Sequence, residues 1–183
     1  MNSKVLIILA GGFEEIEAVT AIDILRRAGI ATTVAGLDSE LISGGHQLQV
    51  KCDTVLAAVD QQEYSHLVLP GGQPGTDNLK NDSRVLQLVK DFFNQQKVVA
   101  AICAAPAVLQ AAGILSGKRI TSYPAERPNF TASNYLEDKV VNDNNILTSR
   151  GVGTAIDFAL ALVENIKGKE VRRSVAEKIL WPD

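Results

Sequence analysis

The chain has 183 residues, 46% of them hydrophobic and 21% charged, a balance that excludes a disordered segment. Its net charge of −3 gives no support for a nucleic-acid partner, which would want a basic face. No apolar stretch approaches the roughly 18 residues of a membrane span, and two cysteines are too few for a disulfide-stapled secreted scaffold, so a reducing cytoplasm is the expected location.

Taken in chain order, apolar runs alternate with helical patterns. Lys4 to Ala10 is a continuous β-branched and leucine run, as in a strand buried on both faces. It halts at glycines followed by acids, so it reads as a first strand and not a signal peptide. Glu14 to Ala28 spaces Ile16, Val19, Ile22 and Leu25 three apart, which predicts an amphipathic helix burying that stripe and ending at Gly29. Ala31 to Ala35 predicts a strand, and Leu41 to Val50, broken by Gly44-Gly45, a hairpin. His66 to Leu69 is a further strand running into the turn "PGGQPG", with His66 expected at the surface. Asp82-Ser83 caps a helix reaching about Gln96, followed by a strand over Val98 to Ile102. Lys118 to Glu137, with Pro124 and Pro128, reads as a loop or short helix. Lys139 to Val141 and Asn145 to Thr148 predict strands. Helices over Thr154 to Ile166 and from Lys169 to about Leu180, separated by Gly168, close the chain. With no repeat and no linker-like stretch, residues 1–183 read as one α/β domain whose parallel sheet is covered by helices. Ligands in such folds bind beyond the carboxyl ends of the strands.

Three strand ends carry chemistry. "VVAAICAAPAVL" sets Cys103 where a buried strand turns into a helix, in the layout of a nucleophile elbow, with Ala101 and Ala105 at the crowded positions and Pro106 in the first helical turn. A thiol before a helix N-terminus faces unpaired N–H groups and the positive end of the dipole, which favour thiolate. "LPGG" puts Gly71 and Gly72 at a neighbouring strand end, where a backbone N–H could join that of Ala104 in an oxyanion hole. In "GGFEEIEAV", Glu14, Glu15 and Glu17 begin a helix, and Glu17 flanks the apolar stripe. A carboxyl held there beside a thiol should have a raised pKa and serve as general acid/base. Each piece also has a plain structural reading: a buried cysteine, a glycine turn, solvated helix acids. His46, in the hairpin, and His66 are not placed to act as a base for Cys103, so a Cys-His peptidase is not expected. No ligand spacing among Cys, His and acids indicates a metal site. Cys52, in a polar–apolar alternation, reads as an edge-strand thiol without a catalytic role.

"LAGGFEEIEAVTAIDILRRAGI", "LVLPGGQPGTDNL", "AAICAAPAVL" and "LTSRGVGTAIDFALALVE", in this order and spacing, resemble the ThiJ/PfpI superfamily, and within it the deglycase branch. The resemblance implies a flavodoxin-like three-layer α/β sandwich with a mostly parallel central sheet and a nucleophile elbow at Cys103. It makes Cys103 the reactive cysteine, Glu17 its protonated partner, and Gly72 and Ala104 the oxyanion-type donors, with Gly71 beside them. Arg27 and Arg150 match arginines near the family's site, and Glu14 an acid next to them. Tyr123 stands where a relative has a histidine, Val152 where proline is usual, and His46 where an arginine is found. Ala104 replaces the histidine of the protease-like members. The implied function is a cofactor-independent glyoxalase or deglycase acting on methylglyoxal or early glycation adducts. The alternative is an oxidative-stress sensor or redox-regulated chaperone using the same cysteine. A homodimer is implied, with the first helix at its interface, and neither a metal nor an organic cofactor.

Overall fold

The unbroken apolar run after Lys4 forms β1 (Lys4–Leu9), an interior strand of a seven-stranded sheet, buried along nearly its whole length. The computed structural model describes residues 3–182. From β1 the chain passes through α1 (Glu15–Arg27), β2 (Ala31–Gly36), the hairpin strands β3 (Leu41–Ser43) and β4 (Gln49–Lys51), and the short β5 (Thr54–Val55). It returns beside β1 as β6 (His66–Leu69), then forms α2 (Gly75–Asn81), α3 (Ser83–Asn94) and β7 (Val98–Ile102). After α4 (Pro106–Ala111) come β8 (Arg119–Ile120), β9 (Asn134–Tyr135), β10 (Val140–Asp143) and β11 (Ile146–Ser149), then α5 (Ala155–Lys167) and α6 (Lys169–Lys178).

The sheet order is β10-β11-β7-β6-β1-β2-β5, and every neighbouring pair is parallel except β10 with β11. Strand alternation assigns the two cores. Val5, Ile7 and Leu9 face α1, α5 and α6, while Leu6 and Ile8 face α2, α3 and α4. The result is the three-layer α/β sandwich expected from the alternating pattern. Because all its central strands point the same way, the ends of β1, β6 and β7 open on one edge, where Gly12, Gly71 and Cys103 lie.

Several local expectations need correction. Ile16 and Val19 are 54% and 47% exposed, so the first half of the stripe assigned to the core faces outward, while Ile22 is partly buried and Leu25 fully buried as expected. The buried face of α1 carries Glu15, Glu17, Ala18, Ala21, Ile24 and Leu25 instead. Small alanines let α1 lie close against the sheet and α5, and this tight contact decides which face is covered. The "PGGQPG" turn continues into α2, a helix whose Thr76 and Leu79 are buried. His66 is buried, its Nε2 3.0 Å from Asn165 Oδ1 and its Nδ1 2.8 Å from Ser65 Oγ. Asp82 caps α3 as expected, accepting from the Arg84 and Val85 N–H groups. The stretch from Lys118 to Glu137 holds a 3₁₀ turn at Pro124–Asn129 and the small parallel pair β8–β9. Cys52 is buried between β4 and β5, and burial pushes its thiol up to about 11.

Candidate active site

Cys103 directly follows β7 with φ +64°, the left-handed region that a β-carbon disfavours. Hydrogen bonds on both sides impose that conformation. Its N–H donates to Ser149 O at 3.0 Å, and its carbonyl accepts from the Tyr123 N–H at 2.8 Å. Ala101 and Ala105 are completely buried beside it, which explains why larger residues are absent there. The elbow read from the sequence is thus present in the backbone.

Glu17 comes from the first turn of α1 and is only 1% exposed. Its Oε2 accepts from the Gly71 N–H at 2.9 Å, while Oε1 has no hydrogen-bond partner among the described residues. A β-carbon on Gly151 would stand 3.7 Å from Cys103 Sγ and 3.8 Å from Glu17 Oε1, so both atoms open on one small space. Gly71 permits the approach of the two side chains. A β-carbon there would fall 2.6 Å from Cys103 Cβ and 2.8 Å from Glu17 Oε2. Gly71→Ala is therefore expected to cost about 1–3 kcal/mol of stability through overpacking. Displacement of the two reacting groups is expected to lower turnover on the order of 100-fold. Thermal melts and lactate assays on that variant check both.

Burial pushes the Glu17 carboxyl up to about 7, against the hydrogen bond from Gly71 and the neighbouring Cys103 thiol, which act to lower it. Burial, then the negative charge of Glu17 and its hydrogen bond, push the Cys103 thiol up to about 12. The N–H groups of Ala104 and Gly72 act in the opposite direction, holding negative charge on sulfur. The thiolate-favouring effect expected from the helix N-terminus is present but outweighed. Repulsion from Glu17 exists only while that carboxyl is ionised. The pair therefore loses its first proton as pH rises through about 7 and resists losing a second. In the singly charged pair, transfer of the remaining proton from sulfur to Glu17 leaves the charge on the sulfur, facing two amide donors.

The remaining candidates divide by position. Gly72 (φ +92°) and Ala104 supply the amides just described, and a side chain at Gly72 would overlap the backbone of Glu14. Tyr123, half exposed, lies at the rim, with Cδ2 3.7 Å from the absent Gly151 β-carbon. Arg150 precedes Gly151, but its Nη1 donates to Glu137 O at 2.8 Å. Arg27 is not brought to the pocket within this chain. It ends α1, ten residues or about 15 Å of helix beyond Glu17, and pairs with Asp23. Glu14 precedes α1, and its N–H donates to Gly71 O at 2.9 Å.

His46 is the residue whose place sequence spacing does not reveal. The β3–β4 hairpin turns back onto the start of α1, putting His46 Nδ1 2.9 Å from Glu15 Oε2 and 3.8 Å from Glu14 Oε2. Burial works to raise the pKa of Glu15, but hydrogen bonds from the His46 ring and from backbone hold it below the usual carboxylate range. The hydrogen bond to Glu15, with the charges of Glu15 and Glu14, raises that of His46. Contrary to the absence of ligand spacing in the sequence, these three side chains cluster, with one ligand atom from each lying within 4.8 Å of the others. Among the described residues, neither histidine ring hydrogen-bonds Cys103.

Comparison with known proteins identifies the family and the fold. The chain is 44% identical over 183 residues to Protein dj-1beta of Drosophila melanogaster, covering 98% of each. It is 32% identical over 168 residues to the Glutathione-independent glyoxalase DJR-1.2 of Caenorhabditis elegans, covering 91% of this chain and 89% of the relative. The crystal structure of Drosophila melanogaster DJ-1beta superposes with a TM-score of 0.96 at 43% identity, covering 100% of both chains, so the fold is the flavodoxin-like one. The profile of the DJ-1/PfpI family matches residues 3–165. The chain belongs to the DJ-1/PfpI family.

Proposed function

We propose that the protein is a cofactor-independent glyoxalase that converts methylglyoxal into lactate, and that it also releases early glycation adducts by the same chemistry. The observation that carries this reading is the pairing of half-buried Cys103 with buried Glu17, whose Oε1 is unpartnered among the described residues and faces the same small space as the sulfur. A glyoxalase-named relative supports it.

The thiolate adds to the aldehyde carbon, and Glu17 gives its proton to the oxygen of the resulting hemithioacetal. The N–H groups of Gly72 and Ala104, which face the sulfur, stabilise the charge as it forms. Glu17, now a carboxylate, removes the hydrogen of the former aldehyde carbon as a proton. The electron pair forms an enediolate. Glu17 returns its proton to the neighbouring carbon while the proton of the C1 hydroxyl passes to the C2 oxygen, which leaves a carbonyl at C1 and a hydroxyl at C2. The product is a lactoyl thioester. Water cleaves it, releasing lactate and restoring the Cys103–Glu17 pair. In this scheme Gly71 positions Glu17, and Tyr123 borders the entrance.

Purified protein in buffer free of other thiols is expected to form lactate from methylglyoxal catalytically. Lactate at or below the rate in buffer alone would overturn the reading. The second reading, a peroxide sensor, rests on Glu17 carrying a proton near neutrality, which would hydrogen-bond a Cys103 sulfinate. It is favoured if peroxide oxidises Cys103 stoichiometrically in protein that shows no turnover.

We further propose that residues 1–183 act as a single domain in a reducing compartment, and that two copies pair through α1. The outward Ile16 and Val19, flanked by Leu180 at 90% exposure, supply the apolar surface for pairing. Val19→Asp is expected to shift the mass found by light scattering from dimer to monomer. An unchanged mass would remove α1 from the interface.

A further inference from the structure

Glu14, Glu15 and His46 form a cluster that the proposed chemistry does not use. Glu15 is almost fully buried, and its Oε1 accepts the His46 backbone N–H, so that carboxylate is fixed against the hairpin turn. Gly44 makes the approach possible, since a side chain there would overlap the Glu15 carboxylate. Glu15 Oε2 and Glu14 Oε2 then converge on the same ring nitrogen, His46 Nδ1. Two carboxylates face one imidazole, and among the described residues neither pairs with a lysine or arginine. Even a protonated His46 leaves the cluster with net negative charge.

We propose that Glu14, Glu15 and His46 bind a divalent transition-metal ion of the zinc class, with His46 Nδ1 and one oxygen of each carboxylate as protein ligands. The donor set of one imidazole and two carboxylates suits such an ion. Ligands about 2.1 Å from a tetrahedral ion lie about 3.4 Å from one another. The present separations of 2.9 and 3.8 Å from His46 Nδ1 bracket that value. Binding expels the proton shared between Nδ1 and Glu15 to solvent, and the metal takes its place. The second Glu15 oxygen keeps its hydrogen bond from the His46 N–H, the kind of outer contact that holds a ligand in orientation. His46, whose side chain is 76% exposed, gives the ion its entry path and leaves room for water to complete the shell. The ion would sit one loop from the Cys103 pocket, since the Glu14 N–H donates to Gly71 O and the Gly12 N–H to Ser43 O.

Thiols also bind zinc, so the test uses a Cys52→Ala/Cys103→Ala double variant. Its outcome is then independent of whether the chain is a glyoxalase. Calorimetric titration with zinc chloride is expected to show one ion per chain in this variant. Adding His46→Ala or Glu14→Gln is expected to weaken binding at least about 10-fold. Circular dichroism confirms that each variant is folded, and Glu15 is left intact because it anchors the turn. Cobalt(II) gives a second readout, with visible absorption bands that His46→Ala removes. No zinc binding in the double variant, or binding that neither added substitution changes, overturns the proposal.

Discussion

Cys103→Ala is expected to reduce lactate formation from methylglyoxal to the rate without protein. No other group in the described pocket can form the hemithioacetal, because Cys52 lies buried elsewhere, with its thiol pushed up to about 11. The substitution keeps a β-carbon in the left-handed backbone position, and alanine already occupies the flanking sites, so the fold should persist. Stability measured by thermal melting is expected to change little while activity disappears. Residual turnover at a tenth or more of the wild-type rate would move the nucleophile away from Cys103.

Glu17→Gln is expected to lower turnover roughly 10²–10⁴-fold, the range over which a positioned acid/base contributes. In the wild type, kcat/KM is expected to rise with pH through about 7, where the pair loses its first proton. The same substitution should change stability in the opposite sense. Glu17 holds its proton more tightly in the folded state than in the unfolded chain, about 7 against 4.5. Wild-type stability is therefore fully present below 4.5 and is lost as pH rises through about 7. The penalty above that window is on the order of 3 kcal/mol. Glutamine carries no such penalty. The variant should melt several degrees above wild type near pH 8, and the gap should close near pH 4. A higher melting point together with lost activity is what a buried catalytic carboxyl predicts. A lower melting point at both pH values would instead make Glu17 a structural residue.

What could be read in advance depended on how far apart in the chain the interacting residues lie. The elbow was legible because strand, cysteine, alanines and proline are contiguous, so the corner is a local property. Glu17 lies beside Cys103, though not for the reason the helical stripe suggests. The stripe of Ile16 and Val19 that was to shield it faces outward, and Glu17 is buried on the alanine face together with Glu15. Helical periodicity alone could not separate a face covered by the sheet from one left for a partner. The thiol was expected to be acidified by the helix start. The amides are there, but burial and the Glu17 charge outweigh them, and both depend on an element 86 residues earlier in the chain.

Long-range contacts hid the rest. His66 opens a strand, which suggests an exposed end, yet Asn165 of α5 covers it from 99 residues away. His46 and Glu15 are 31 residues apart and meet only because the hairpin folds back on α1. Helix α2 went unseen because "PGGQPG" marks a turn so strongly that the short helix after it gave no periodic signal. The sandwich itself was legible because its longer strands and helices repeat their pattern over enough residues to declare their kind, whereas α2 and the two-residue strands do not.

The claim most in need of a direct test is that Glu17 carries a proton between the two substrate carbons. Turnover of methylglyoxal in D2O, followed by NMR of the lactate, addresses it. A proton held by a carboxyl exchanges with solvent, so deuterium is expected at C2 of the lactate in a readily measured fraction of the product. Complete retention of hydrogen at C2 would mean a direct hydride shift between carbons, which bypasses Glu17 and contradicts the account.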